Sequence, residues 1–398
     1  MVDLDMIKKF FIINILIFLF LVSCASKISN LEISTDIKPE DAIKKIDKWL
    51  DHLSLKEEFN GAILIAKDGR VDLMKAYGFS DLERTKRLTK KSSFRLASVS
   101  KQFTAMAIMI LKEQGKLYFD DPVLNYLTNF PYPDVTIRHL LTHTSGLPDY
   151  EKLVLQLDNK SSTKYFYRTG QSKENITYKG EPSLYKEYHD ILSMEDVLDL
   201  VIENSKNRKF MAGEKFKYSN TGYVLLAYIV ENITGQTFES FMDQEIFIPL
   251  SMKNSSVWNL NTVVGKLEDR VQGTNKNKLN DFTWMDGIAG DGAVFICIED
   301  FIKWDRALAN HTIVSDTTFQ DAITPFITSI GDTSYYGFGW SLSEHSSDMD
   351  HAGAWVGALT YIYRNPENGL LFVLLDSSTN RHMNKIRKSI LRSLKNIY

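Results

Sequence analysis

Cysteine is scarce in this sequence, since only Cys24 and Cys297 occur among 398 residues. Two cysteines cannot build a disulfide framework, and no paired CxxC spacing of a zinc or redox site is present. Cys297 lies in the apolar run 293–298, where a buried and inert thiol is expected. Stability must therefore come from a hydrophobic core, which a composition of 44% hydrophobic residues can supply.

A strong charge of either sign is also missing, because the formal net charge is only −3. This balance excludes a basic field for nucleic acid and an acidic tail. No repeat of fixed period and no long low-complexity tract occurs. The sequence also lacks a Gly-x-Ser-x-Gly pentapeptide, so the nucleophile elbow of an α/β-hydrolase is not supported. The length and composition are those of a globular protein with one large domain or two ordinary ones.

A long apolar run occurs near the N-terminus, from Phe10 to Val22 after two lysines. It is short for a membrane span and has the organisation of an export signal. It ends in Leu21-Val22-Ser23-Cys24, which resembles a lipobox. This resemblance implies a lipoprotein signal peptide over 1–23, lipidation of Cys24, a tether over 24–38 and a cell-envelope location. An ordinary signal peptide or a signal anchor that happens to contain a cysteine is the alternative.

Hydrophobic periodicity predicts strands at both ends of the chain and helices in the middle. The first strands are expected at 62–66 and 71–77 around an Asp68-Gly69 turn, and later strands at 335–343, 355–363 and 370–376. Helices are predicted from Pro39 and over 100–114, 193–202, 222–232, 238–247, 299–309 and 380–396. The stretch 150–189 has no clean period and is interpreted as a long loop or insertion. The fold class is therefore α+β: an antiparallel sheet flanked by helices, with an inserted all-helical domain.

The first chemical motif is Ser98-Val99-Ser100-Lys101, at the head of the helix over 100–114. Residues three apart share a helix face, so the Lys101 amine can reach the Ser98 hydroxyl and act as its base. A polar pair at the head of an apolar helix is costly unless it is satisfied. The same spacing occurs at Ser161/Lys164 and Ser183/Lys186, in polar sequence. The alternative is that Ser98 only caps the helix, with Lys101 on the surface.

Two further motifs follow in order along the chain. Tyr218 of Tyr218-Ser219-Asn220 can pass a proton to a leaving group, and the Asn220 amide can hold a substrate carbonyl or the lysine. His351-Ala352-Gly353 enters a strand, where Gly353 lets a substrate backbone approach and His351 presents a donor or a partial positive charge to the substrate. The N–H of Ala354 is then expected to form an oxyanion hole with that of Ser98. Ordinary turns and a half-buried tyrosine are the alternative interpretation, and Tyr363-Arg364-Asn365 matches the second motif by spacing alone.

The three motifs together resemble the serine β-lactamase and penicillin-binding-protein superfamily, with its class C β-lactamase-like branch the nearest. Similarity extends through Ile137–Pro148, Pro249–Met252 and Gly290–Gly292, from about residue 40 to the end of the chain. The resemblance implies a β-lactamase/transpeptidase-like domain over 39–398, with a sheet part from about 39–95 and 266–398 and a helical part from about 100–265. It implies an acyl-enzyme hydrolase with Ser98, Lys101 and Tyr218 as catalytic residues and a small-molecule or peptide acyl donor. No metal or organic cofactor is expected.

Departures from the family pattern bear on the substrate. His351 stands where many β-lactamases have a lysine, so penicillins are expected to be poor substrates compared with esters, amides or D-residue peptides. No separate glutamate base stands out, so deacylation is expected to depend on Tyr218 and Lys101. A D,D-peptidase, or a penicillin-binding sensor or scaffold that is acylated without turnover, is the alternative. His139 and His143 have the i, i+4 spacing of a zinc pair but are interpreted as structural.

Overall fold

The computed structural model describes residues 28–34, 36–158, 191–261, 269–275, 278–378 and 382–398. The predicted signal peptide over 1–23 and the lipidation site Cys24 lie outside these residues. So do the alternative pairs Ser161/Lys164 and Ser183/Lys186 and most of the predicted 150–189 loop. No helix of the described part is long and apolar enough to cross a membrane.

Ten α-helices are described. They are α1 (Pro39–Leu55), α2 (Lys101–Glu113), α3 (Ile137–Leu141), α4 (Tyr150–Asp158), α5 (Met194–Glu203), α6 (Asn220–Thr234), α7 (Phe238–Met242), α8 (Ile298–Ala309), α9 (Asp316–Ala322) and α10 (Met383–Ile397). A π-helical turn, Asp243–Phe247, continues α7. Helix α2 is buried on nearly every side, which confirms the prediction of a central helix from its apolar circumference.

Strands from the two ends of the chain form one antiparallel sheet. Its order is β10-β11-β12-β13-β1-β2, and the remaining strands form smaller sheets. The strands are β1 (Gly61–Lys67), β2 (Arg70–Tyr77), β3 (Ser93–Arg95), β4 (Ser256–Val257), β5 (Thr274–Asn275), β6 (Lys278–Leu279), β7 (Val294–Cys297), β8 (Phe326–Ile327), β9 (Thr333–Ser334), β10 (Ser341–Leu342), β11 (Met349–Trp355), β12 (Ala358–Asn365) and β13 (Leu370–Asp376). The predicted fold class, an antiparallel sheet with flanking helices and a helical middle, is confirmed.

The large sheet separates two hydrophobic cores. Along β1, Leu64 faces the core shared with α2 and the helical middle, whereas Ile63 and Ile65 face the core formed with α1 and α10. The alternation follows from the two-residue period of a strand. Since both faces are covered, β1 and β13 are apolar at almost every position.

Three predicted elements differ from the structure. The strand expected over 335–343 is reduced to β10, because Gly339 has a φ of +78° and its α-carbon packs against the backbone of α2. The strand expected over 355–363 is split, because Gly357 (φ +57°) turns the chain between β11 and β12. Residues 150–158 form α4 rather than a loop, since the Asp149 carboxylate accepts the N–H of Glu151 at the start of the helix.

Candidate active site

Ser98 lies in a short 3₁₀ turn, Ala97–Ser100, that runs directly into α2. Ala97 has a φ of +49°, a left-handed conformation that costs a non-glycine residue ~1 kcal/mol or more. Two hydrogen bonds hold the head of α2 in place: the Val294 N–H donates to Ser100 Oγ (3.1 Å), and Thr104 Oγ1 donates to the Gly290 carbonyl (2.6 Å). The head of α2 is therefore anchored to the segment 290–294, and a strained residue precedes the serine.

The Lys101 side chain is completely buried beneath Ser98. Its Nζ donates to Ser98 Oγ at 3.2 Å and to the Asp291 carbonyl oxygen at 2.8 Å. The same nitrogen lies 5.1 Å from the ring centre of Tyr218 and 5.5 Å from that of Tyr223, within the range of cation–π attraction. The buried position excludes the alternative of a surface lysine beside a helix cap.

The loop that carries Tyr218 is held by His143. Its Nδ1 accepts the Ser219 N–H (3.2 Å), its carbonyl accepts the Lys217 N–H (2.9 Å), and its ring centre lies 4.2 Å from that of Tyr218. Because Nδ1 accepts, the ring proton is on Nε2, which has no partner among the described residues. Burial first, and then the charge of Lys101, lower the pKa of His143 well below its usual value, so the imidazole is neutral.

His139 has a different structural role from that of His143, four residues later. Its Nδ1 lies 3.1 Å from the Thr136 N–H at the start of α3, so it caps this helix. The chain leaves α3 before His143, which has a φ of +58°. The two imidazoles therefore do not share a helix face, and both have structural contacts. No cluster of metal-ligating side chains occurs in the described part of the chain.

Asn220 begins α6 and faces the same cleft as Ser98. Its Nδ2 donates to Glu151 Oε1 at 2.7 Å, whereas its Oδ1 is buried without a donor among the described residues. The amide has a second N–H, which is available to a substrate carbonyl. The sequence pointed to Lys101 as a partner of Asn220, and the structure pairs the amide with Glu151.

Strand β11 passes directly beside the turn that carries Ser98. A Cβ on Gly353 would lie 2.3 Å from the Leu96 carbonyl oxygen and 3.1 Å from the Ser98 nitrogen, so only glycine fits there. Ala354 follows on the cleft side. Strand β10 pairs only with Met349 and Asp350, so β10 leaves the edge of β11 beside Ser98 unpaired. The predicted oxyanion hole of the Ser98 and Ala354 N–H groups stays a prediction, and both residues line the cleft.

His351 is buried rather than open to the cleft. Its Nδ1 lies 2.8 Å from the Ala352 carbonyl and must carry the proton, so Nε2 accepts from the Tyr336 hydroxyl at 2.9 Å. Burial and the charge of Lys101 lower the pKa of His351 to about 3. Its imidazole is therefore neutral, with both nitrogens occupied, and the geometry leaves no free donor for the substrate-binding role predicted from the sequence.

The cleft above Ser98 has a volume of about 540 Å³, which includes space open to solvent. Sequence reasoning found Ser98, Asn220 and Ala354 among its lining residues but missed three carboxylates, Glu151, Asp286 and Asp291. Burial, followed by the charge of Asp291, raises the pKa of Glu151. The signal in the sequence that could have found Glu151 is its position three residues after the run 137–148, which resembles the family.

Comparisons with known proteins agree with this geometry. A family model described as Beta-lactamase matches residues 46–394. The chain belongs to the beta-lactamase family. It is 30% identical over 370 residues to Penicillin-binding protein 4* of Bacillus subtilis, a match that covers 89% of this chain and 75% of that protein.

Solved structures share the same fold. A penicillin-binding protein from Bacillus halodurans superposes with a TM-score of 0.67 at 25% identity, covering 87% of this chain and 98% of the other. A D-amino acid amidase from Ochrobactrum anthropi has the same TM-score at 22% identity, covering 89% and 98%. Together with the family match, the paired Ser98 and Lys101 identify this beta-lactamase family member as a serine hydrolase.

Proposed function

We propose that this serine hydrolase acts through an acyl-enzyme on Ser98 and cleaves esters, amides or peptides with D-residues. The observation that carries the proposal is the 3.2 Å contact between Lys101 Nζ and Ser98 Oγ at the base of an open cleft. A serine hydroxyl needs an adjacent base to become a nucleophile, and a completely buried amine at hydrogen-bond distance supplies one. Both side chains come from one helical turn, so their separation is set by local geometry.

In the acylation step, Lys101 in its neutral form accepts the proton of Ser98. Tyr218, whose ring centre lies 5.1 Å from Lys101 Nζ, is the second proton carrier. The Ser98 oxygen attacks the acyl carbon, and the N–H groups of Ser98 and Ala354 bind the developing oxyanion. Tyr218 protonates the leaving group, which departs as an alcohol or amine. In deacylation, water loses a proton to the same two groups, attacks the acyl carbon and releases the free acid, while Ser98 regains its proton.

The site favours acyl donors that do not need a fixed cation for a carboxylate. His351 is neutral, and its two nitrogens are occupied by Ala352 and Tyr336. A neutral imidazole without a free donor is a poor partner for the carboxylate of a penicillin. The D-amino acid amidase among the structural neighbours supports a search among D-aminoacyl amides and esters. Penicillins are expected to acylate the enzyme more slowly than these donors.

The test measures the intact mass of a protein of residues 25–398 that is quenched with acid during its reaction with a p-nitrophenyl ester. Wild type should show a transient acyl adduct and release nitrophenol, whereas Ser98→Ala should show neither. Ser98→Ala should unfold at nearly the same temperature, because it removes only one oxygen from a partly exposed side chain. Substantial activity in Ser98→Ala would remove Ser98 as the nucleophile. An adduct that forms but persists would indicate a sensor that is acylated without turnover.

We also propose that residues 25–398 are held at a membrane of the cell envelope, facing the periplasm or the exterior, through lipidated Cys24. The support is the apolar run over 10–22, which is followed by Ser23 and this cysteine. Wild-type protein expressed in a bacterial host should partition into the membrane fraction and gain the mass of acyl chains on its N-terminal peptide. Cys24→Ser should lose both properties, and an unmodified N-terminal peptide in wild type would contradict the proposal.

A further inference from the structure

We propose that Glu151 determines specificity in this cleft by binding a positively charged amine on the acyl group, next to the scissile carbonyl. The inference rests on the proposed function, because it concerns the substrate of the same Ser98 site. It narrows the substrate class to aminoacyl esters and amides. Glu151 belongs to the first turn of α4 and lines the cleft together with Ser98 and Ala354.

The three carboxylates that line the cleft differ in their partners. Asp286 forms a buried ion pair with Arg95, at 2.5 Å between Oδ1 and Nη1. Asp291 accepts the Tyr150 hydroxyl at 3.1 Å, and its strongest electrostatic attraction is to Lys101. Glu151 forms no ion pair with a cation of the described residues, although the charge of Lys101 also favours its ionised form.

The orientation of Glu151 is set while one of its oxygens stays available. Oε1 accepts the Asn220 amide at 2.7 Å, which ties the carboxylate to the catalytic motif around Tyr218. Oε2 has no hydrogen bond to the described part of the chain. Asn220 Oδ1, in the same corner, is buried without a donor among those residues. The two oxygens form a pair of acceptors without donors, beside the serine that would hold the acyl group.

An α-ammonium group fits this arrangement by charge and by hydrogen bonding. It carries three N–H donors and one positive charge, which matches a carboxylate oxygen and an amide oxygen. It lies one carbon away from the carbonyl that Ser98 attacks, so binding it also orients the carbonyl toward the nucleophile. In a penicillin, the carbon next to the scissile carbonyl carries a neutral acylamino group, which offers Glu151 no positive charge.

The experiment compares the benzyl esters of D-alanine and N-acetyl-D-alanine, which differ in the charged amine. Hydrolysis is measured at a pH of about 6.5, where the α-amine is protonated. Wild type should have the higher kcat/KM for the free-amine ester. Glu151→Gln keeps an oxygen for the Asn220 amide, so it should lower kcat/KM for this ester by about 10- to 100-fold, the effect of losing a charge-assisted hydrogen bond. Its kcat/KM for the N-acetyl ester should stay within about twofold.

Glu231→Gln is the matched control. Like Glu151, Glu231 is a partly buried glutamate with a pKa raised by burial and with one oxygen that accepts an N–H, in this case from the Phe238 backbone. It does not line the cleft and should leave both rates unchanged. Equal losses on both esters in Glu151→Gln would overturn the proposal and indicate a proton-transfer or structural role. A wild-type preference for the N-acetyl ester, or no cleavage of either ester, would also overturn it. In those cases a Ser98 adduct with the p-nitrophenyl ester would leave the proposed function standing.

Discussion

Gly353→Ala tests whether the contact between β11 and the turn Ala97–Ser100 sets the geometry of the site. The added methyl would lie 2.3 Å from both the Leu96 carbonyl oxygen and Thr360 Oγ1, and 3.1 Å from the Ser98 nitrogen. Ordinary carbon–oxygen contacts are about 1 Å longer, so the strand and the turn must separate by about that distance. We expect a loss of ~1–3 kcal/mol in the free energy of unfolding from overpacking. A shift of ~1 Å beside the reacting atoms should also slow acylation by about 100-fold.

The assay combines stopped-flow release of nitrophenol with unfolding in urea. Gly115→Ala is the control, because Gly115 has a φ of +68° and a Cβ added there would have nothing within 4 Å. It should cost ~1–2 kcal/mol through backbone strain alone and leave the acylation rate unchanged. If Gly353→Ala acylates at the wild-type rate, the β11 edge does not position the reacting carbonyl, and the predicted oxyanion hole at Ala354 is wrong.

Three further predictions follow from side-chain contacts. Tyr218→Phe keeps the ring on His143 but removes the hydroxyl, so acylation and deacylation should both slow by about 100-fold or more at an unchanged unfolding temperature, as measured by single-turnover kinetics. Arg95→Met leaves the buried Asp286 carboxylate unpaired and should lower the free energy of unfolding in urea by ~3–5 kcal/mol. His351 has an unfolded pKa of about 6.5 and a folded pKa of about 3, so the unfolded state binds the extra proton. Stability should therefore be full above pH ~6.5 and fall by up to ~1.4 kcal/mol per unit as the pH drops toward 3, a slope that His351→Gln should reduce in acid-unfolding titrations.

Much of the fold could be predicted because local pattern and tertiary structure agree. The apolar circumference of α2 predicted a central helix, and alternation in β1 and β2 predicted a hairpin at Asp68-Gly69. Two of the three errors occur where a single glycine overrides the pattern. Gly339 and Gly357 lie in runs that have the pattern of strands, but their positive φ values depend on close backbone neighbours that the sequence does not show.

The contact between Ser98 and Lys101 could be predicted because both lie on one helical turn, where spacing determines distance. The environment of His351 could not, because its neutral state depends on Tyr336 and on Lys101, which are distant in sequence. Glu151 was missed for the same reason. Its significance comes from Asn220, 69 residues away, and from a cleft that exists only in the folded chain.

Several unfavourable features lie around the proposed catalytic motifs. Ala97 and His143 have left-handed backbone conformations, and His143 Nε2, Ser219 Oγ and Asn220 Oδ1 are buried without partners among the described residues. Each unpaired polar group costs ~1–3 kcal/mol of folding free energy. A region used only for packing would have no reason to keep such groups. Strain and unpaired polar atoms persist when the surroundings hold them in a geometry that a reaction needs. Because the unpaired Asn220 oxygen lies beside Glu151 and Ser98, a donor group on the substrate is the partner that would satisfy it.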